Sequence, residues 1–347
     1  MRRLPVANPP SRFDDTVLTY EDGEAPGASL VVLEDATKAI LAKNDSPDVG
    51  FRWSVNPYRG CYHGCAYCYA RPTHEYLGLG AGTDFDRKIV VKPRAPELLR
   101  DAFDKKTWRG ELVAFSGVTD CYQPLEASLR LTRGCLEVCA EYKNPVAVIT
   151  KSPVIERDID LLVELSRVAS VRVSVSIPFW DEATARAIEP WVTTPARRMR
   201  IVERLAQAGV PVGVGVSPVV PGLNDEDIAR VLTAAKDAGA SHAFFVLLRL
   251  PGAVAPVFEQ RLRAALPLRA ERVLRRIKET RGGRMYDARF SVRGRGEGPY
   301  AQAIDRLFTT QATKLGLVPG ESWPAADTFR RPAREPEPVG GQLGFRF

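Results

Sequence analysis

Six short runs of β-branched or apolar residues recur along the chain: IVVK, ELVAF, VAVIT, VRVSVSI, PVGVGVS and AFFVLLRL. Most are separated from the next by a helix-length stretch in which apolar residues return every three or four positions, as in PELLRDAFDKK, LEASLRLTRGCLEVCAEY, IERDIDLLVELSRV, PARRMRIVERLAQAG and NDEDIARVLTAAKDAG. Strand-length runs alternating with amphipathic helices predict repeated βα units around a largely parallel sheet. Gly209 and Gly239 stand just past two periodic runs, where helices stop, and Asn224 is placed to cap the helix that Asp225 and Glu226 begin. No G-x-G-x-x-G or G-x-x-x-x-G-K string marks a strand-to-helix turn. The expected fold class is therefore α/β, a partial (β/α)6 TIM-like barrel, with its chemistry on the loops after the strands.

The pattern fades at both ends. Residues 1–50, where ASLVVLED is the β-prone part, read as an N-terminal arm, and 51–282 as the barrel core. Residues 283–331, which hold RMYDARFSVRGRGEGPYAQAIDRLF, read as a C-terminal extension packed on that core, and 332–347 as a flexible tail rich in Pro, Gly and charge.

A chain of 347 residues, 45% of them hydrophobic, can bury a substantial core. No apolar run of signal-peptide type follows MRRLPVANPPSRFDD, and none approaches the roughly 20 residues that cross a bilayer. A cytoplasmic location with no membrane partner is the expectation, and six cysteines there read as ligands, reactive thiols or core fillers. The net charge of +7 is uneven: residues 257–295 carry twelve Lys or Arg against four Asp or Glu. Such a block either steers an anionic partner or forms a solvated helix surface.

The sharpest chemical signal is NPYRGCYHGCAYCYA, residues 56–70, which sets Cys61, Cys65 and Cys68 on one turn between Gly60 and Gly64. Three thiolates can hold three irons of a cubane and leave the fourth open to a ligand. Zinc is the alternative, with His63 or His74 completing a Cys3His set. Cys135 and Cys139 share a helix face with apolar residues and read as core.

The spacing C-x-x-x-C-x-aromatic-C, with Tyr67 as the aromatic, resembles the cluster loop of the radical S-adenosylmethionine superfamily. The fuller C-Y-H-G-C-A-Y-C-Y followed by ARPTHEYLG is similar to its spore photoproduct lyase and DNA repair photolyase-like subfamily, over about residues 52–316. The resemblance implies a [4Fe-4S] cluster on Cys61, Cys65 and Cys68. It also implies S-adenosylmethionine chelated at the open iron and its reductive cleavage to a 5'-deoxyadenosyl radical. An external electron donor, ferredoxin or flavodoxin, and a possible nucleic-acid substrate follow from it. Ser116 and Gly117 occupy the turn whose backbone receives the cofactor's amino group, although the usual double glycine and glutamate are absent.

The string TDCYQPLE matches the subfamily and makes Asp120, Gln123 and Glu126 candidate catalytic residues lining a polar cavity, with Cys121 a candidate hydrogen donor. Ser174 and Ser176 share one face of a strand by two-residue periodicity and are candidates for the cofactor's ribose or carboxylate. Ser217 and Asn224 are candidates for its adenosine. Lys151 and Arg249, just past strand ends, are candidates for its carboxylate or an anionic substrate. Repair of a photoproduct in duplex DNA would have no recognisable helix-turn-helix or similar reading module to assist it. The competing reading is a non-catalytic, zinc-containing nucleic-acid-binding protein.

Overall fold

The computed structural model describes residues 8–9, 29–319 and 327–333. Residues 334–347 of the expected tail and most of 1–28 lie outside the described residues.

The strands are β1 (Val31–Glu34), β2 (Leu41–Lys43), β3 (Trp53–Val55), β4 (Tyr58–Arg59), β5 (Lys88–Val91), β6 (Val113–Phe115), β7 (Val146–Thr150), β8 (Val171–Ser176), β9 (Val212–Val219), β10 (His242–Leu247) and β11 (Val318–Pro319). The main sheet has eight strands in the order β11-β10-β9-β8-β7-β6-β3-β2. Every neighbouring pair from β3 to β11 is parallel, and β2 runs antiparallel on the β3 edge. The two edges do not pair with each other, so the sheet is an open barrel, which agrees with the expected partial TIM-like fold class.

Two expectations need correction. IVVK is not a barrel strand: β5 lies between β1 and β4 in a separate three-stranded sheet. The first barrel strand is β3, three residues long and too short to display an alternation. The stretch LEASLRLTRGCLEVCAEY is two helices, Glu126–Leu129 and Leu131–Glu141, broken at Arg130 with φ +55°. The break has a cause: the Glu126 carboxylate accepts from the amides of Thr132 and Arg133, which starts a new helix there.

The barrel's two faces follow from strand periodicity. Val146, Val148, Val173, Val175, Val212, Val214 and Val216 enter one core with Leu136, Leu162, Leu205 and Leu232 from the surrounding helices. Their alternates, among them Ser54, Ala114, Ala147, Ser174, Ser176, Gly213 and Gly215, present small or polar groups to the opposite, inner face. The glycines have a steric reason: a Cβ on Gly213 would meet the His242 carbonyl at 2.2 Å, and one on Gly215 the Phe244 ring at 2.6 Å.

The C-terminal part reaches the strand ends. Arg281, fully buried, donates to the carbonyls of Leu248, Val292 and Arg293, and Asp48 accepts from the Ser291 amide and pairs with Arg293. Among the described residues no helix is long and apolar enough to cross a membrane.

Candidate active site

The loop leaving β3 holds the three cysteines. Gly60 and Gly64 adopt φ of +77° and +64°, and a Cβ on Gly60 would come within 2.8 Å of the His74 ring, so the tight path needs glycine. Cys61 and Cys65 are buried and Cys68 is half-buried. Burial pushes the Cys61 thiol well above its ordinary range, and the Asp120 carboxylate and the other two cysteines push it further. Burial likewise raises Cys65 and Cys68. Backbone amides offset part of this, that of Asp120 donating to the Cys61 sulfur and that of Ala70 to Cys68.

Neighbouring thiols that oppose one another's ionisation, already holding amide donors, fit a cationic iron-sulfur centre, which would stabilise the thiolates. Among the described residues no three His, Cys, Asp or Glu side chains close on a point as a single metal ion requires. A cubane takes one thiolate to each iron, and three cysteines on one loop can supply three of them. The histidines weighed for zinc are engaged elsewhere: His74 Nε2 lies 2.9 Å from the Lys88 carbonyl, and His63 Nδ1 3.4 Å from Asp120 Oδ2.

Two sets of side chains hold this loop. Arg71, fully buried, donates to the Cys65 carbonyl from both Nε (3.0 Å) and Nη2 (2.9 Å), to the carbonyls of Ala81 and Gly82, and to Asp86 (2.9 Å). The second set comes from the segment after β6. Thr119 Oγ1 donates to the Tyr58 carbonyl (3.0 Å). Gln123 donates to the Gly60 carbonyl (3.2 Å) and accepts from the Tyr62 amide (3.1 Å). Glu126 accepts from the Tyr58 hydroxyl and pairs with Arg157 (2.9 Å). Asp120 accepts from Tyr122 N (2.9 Å), Thr150 Oγ1 (2.7 Å) and Lys151 N (2.8 Å). Burial alone would raise the Asp120 carboxyl; the His63 ring and these donors outweigh it and hold the group below the usual carboxylate range. Gln123 and Glu126, expected at a cavity wall, are fully buried and turned toward the cysteine loop.

The remaining candidates fall into two groups. At the mouth, Ser116 adopts φ +76°, a left-handed backbone rarely taken by a non-glycine residue, and its hydroxyl accepts from the Cys121 amide. The next carbonyl, Gly117 O, accepts from the Tyr69 hydroxyl (2.7 Å). The Lys151 ammonium stands 5.8 Å from the Tyr67 ring and the Arg249 guanidinium 5.4 Å from the Tyr69 ring. The structure thus brings Ser116, Gly117, Lys151 and Arg249 to the cysteine loop. Among the described residues Arg249 Nε is buried without a partner.

Deeper in, hydroxyls and amides are spent on the frame. Ser176 donates to the Ser217 carbonyl (2.9 Å), and Ser174 lies 3.1 Å from His242 Nε2. Asn224 does not cap its helix as expected; it accepts from the Val220 amide and donates to the carbonyls of Pro178 and Pro218, bracing the β9 loop. Tyr67 donates its hydroxyl to Glu189, which pairs with the fully buried Arg198, itself bonded to the Ser176 carbonyl. Cys121 lies in the hydrophobic core with Cys135 and Cys139, and burial raises its thiol well above the usual value.

Reading the sequence missed Arg71, Asn56 and the Glu189–Arg198 pair. Asn56, directly after β3, accepts from the Val118 amide (2.8 Å) and so joins the Ser116–Gly117 turn to the cysteine loop. Arg71 had a signal, an arginine three residues past the last cysteine; Glu189 and Arg198 had none.

Comparison with known proteins agrees with this geometry. The family model described as the radical SAM superfamily matches residues 55–235, just over half of the chain. An uncharacterized protein of Mycobacterium tuberculosis is 34% identical over 253 residues, covering 68% of this chain and 74% of that protein. A radical SAM Nα-GlyT isomerase of Pseudomonas phage M6 is 23% identical, covering 76% of this chain and 52% of that protein. In structure the chain is similar to a mutant spore photoproduct lyase with dinucleoside spore photoproduct, with TM-score 0.60, 15% identity, and coverage of 87% and 88% of the two chains. It is similar also to a second mutant of spore photoproduct lyase, with TM-score 0.61, 16% identity, and coverage of 84% and 81%. A cysteine-bearing loop at the head of an open parallel barrel, matched across half the chain, means that this enzyme belongs to the radical SAM superfamily.

Proposed function

We propose that the chain holds a [4Fe-4S] cluster on Cys61, Cys65 and Cys68 and acts on a nucleic-acid substrate by hydrogen abstraction. When bound, the cluster and S-adenosylmethionine supply a 5'-deoxyadenosyl radical by reductive cleavage, with electrons from a ferredoxin or flavodoxin in the cytoplasm. The observation that carries the reading is the set of three cysteines on one tight, glycine-bearing loop after β3, where the parallel strands end.

The protein's part is binding and orientation. The Ser116–Gly117 turn would offer backbone carbonyls to the cofactor's amino group; of these, Gly117 O already accepts from the Tyr69 hydroxyl. Lys151 and Arg249 bring cations to a mouth where a carboxylate or phosphate would sit.

One comparison supports nucleic acid as the substrate class: the similar lyase holds a dinucleoside spore photoproduct. The basic block adds little, because much of it is internally paired, Arg263 with Glu259 and Glu271, Arg276 with Glu279, Arg289 with Asp287 and Glu297. The non-catalytic alternative does not survive the family match.

The test is anaerobic purification followed by iron and sulfide analysis and electron paramagnetic resonance of the reduced protein. A four-iron signal perturbed by S-adenosylmethionine, then 5'-deoxyadenosine formation stimulated by oligonucleotides, is expected. Zinc without iron would sink the cluster assignment, and indifference to nucleic acid the substrate class.

A further inference from the structure

Thr119, Asp120, Gln123 and Glu126 lie within eight residues, and each reaches a different point of the six-residue stretch 58–63. Gln123 takes the carbonyl before Cys61 and the amide after it, while the Asp120 amide meets the Cys61 sulfur itself. The same Asp120 carboxylate binds Thr150 and the Lys151 amide, so it joins the cysteine loop to the end of β7.

We infer that these four side chains form a clasp that fixes the Cys61 sulfur and couples it to Lys151, and that they are positioning residues that do not touch substrate. The inference rests on the proposed cluster. A loop with two left-handed glycines has many accessible conformations. Only a side chain that both donates and accepts can satisfy a carbonyl and an amide on opposite sides of one ligand, which is the service of a primary amide. Asp120 supplies an N–H to a ligand sulfur and a negative charge beside it, two of the factors that set cluster potential.

The full chain is reconstituted anaerobically with iron and sulfide as the parent, Gln123→Met, Gln123→Glu and Asp120→Asn. Iron loss to a chelator, midpoint potential and hydrogen exchange of amides 58–64 in cluster-free protein are measured. Methionine fills the space with neither hydrogen bond, and iron loss about 10- to 100-fold faster is expected. Glutamate keeps the acceptor alone and should fall between. Asp120→Asn removes a negative charge and should raise the potential. Amides 58–64 should exchange faster in both Gln123 variants while the helix Pro195–Gln207 keeps the parent's protection.

Unchanged iron loss and potential in all three variants overturn the clasp. So does an iron loss matched by equal deprotection of the helix Pro195–Gln207, which marks general destabilisation. A parent with no four-iron cluster overturns the proposed function instead, and exchange in the cluster-free chain then decides separately whether Gln123 holds the loop.

Discussion

Arg71 and Arg249 meet the same cysteine loop and are opposite in kind. Arg71 is fully buried and spends its donors on three carbonyls and Asp86, with its guanidinium 5.1 Å from the Phe85 ring. Arg249 is half-buried, lies over Tyr69, and keeps a buried Nε without a partner among the described residues. A saturated guanidinium is part of the frame, because its bonds fix the groups around it; the anion role proposed for Arg249 rests on its place at the mouth, since the fully buried Arg198 and Arg281 also leave Nε without a partner among the described residues. The same contrast separates Gln123 and Glu126, fully engaged, from Lys151, whose ammonium meets a ring.

The largest effect expected comes from removing what both arginines serve. Cys61→Ala, Cys65→Ala or Cys68→Ala should abolish reconstituted iron and the paramagnetic signal while leaving far-UV circular dichroism like the parent's. Retention of a full four-iron cluster in any of the three would exclude that cysteine as a ligand. Next is Arg71→Met, which strands Asp86 and the Cys65 carbonyl in a buried setting. Breaking a buried pair costs about 3–5 kcal/mol, so urea unfolding should show a loss of that order together with poor cluster retention. Arg71→Lys should not rescue it, since one ammonium cannot replace a planar fork.

A third effect concerns the barrel floor, where His242 is saturated like Arg71. Its ring nitrogens lie 3.1 Å from Ser174 Oγ and 3.2 Å from Ser241 Oγ, and burial first, then Arg172, lowers its pKa to about 4. The unfolded chain, with a value near 6.5, binds the proton that the folded chain refuses. Stability from this group is therefore present above about pH 6.5 and lost as pH falls through about 4. The full span corresponds to about 3 kcal/mol. His242→Gln should flatten the acid side of the stability profile measured by urea midpoint between these limits; an unchanged slope would show that other groups set it.

How much of this was legible follows the same division. The alternation in VRVSVSI gave the valine face and the serine face because a buried strand repeats every two residues, and the three cysteines declared themselves by spacing. The frame was hidden because its bonds are long-range: nothing local says that Arg71 reaches Ala81, that Gln123 reaches Gly60, or that Glu189 meets Arg198. Asp120, Gln123 and Glu126 were recognisable as a polar cluster past a strand end, but the direction in which they point depends on how the cysteine loop folds back over them. β3 escaped notice since three residues carry no period, and the Glu126 carboxylate that restarts a helix at Leu131 looks in sequence like any acidic residue of a first turn.

The smallest stability effect, and the sharpest test of the contrast, is Arg249→Met. If Arg249 were frame, its loss should cost as Arg71 does. A buried Nε with no acceptor is a liability to the folded state, and methionine keeps much of the aliphatic bulk over Tyr69 while removing that liability. The unfolding free energy from urea titration should therefore stay within about 0.5 kcal/mol of the parent's or rise. Binding should separate from folding: a charge-assisted hydrogen bond is worth about 1.5–3 kcal/mol, so affinity for the anionic ligand at the mouth should fall at least ~10-fold. The measurement is equilibrium binding of S-adenosylmethionine and of a short oligonucleotide to parent and variant at two salt concentrations. Weakening confined to the oligonucleotide, with a shallower salt dependence, assigns Arg249 to a substrate phosphate; weakening confined to S-adenosylmethionine assigns it to the cofactor carboxylate. Loss of stability with both affinities intact would make Arg249 a frame arginine like Arg71 and dissolve the distinction between them.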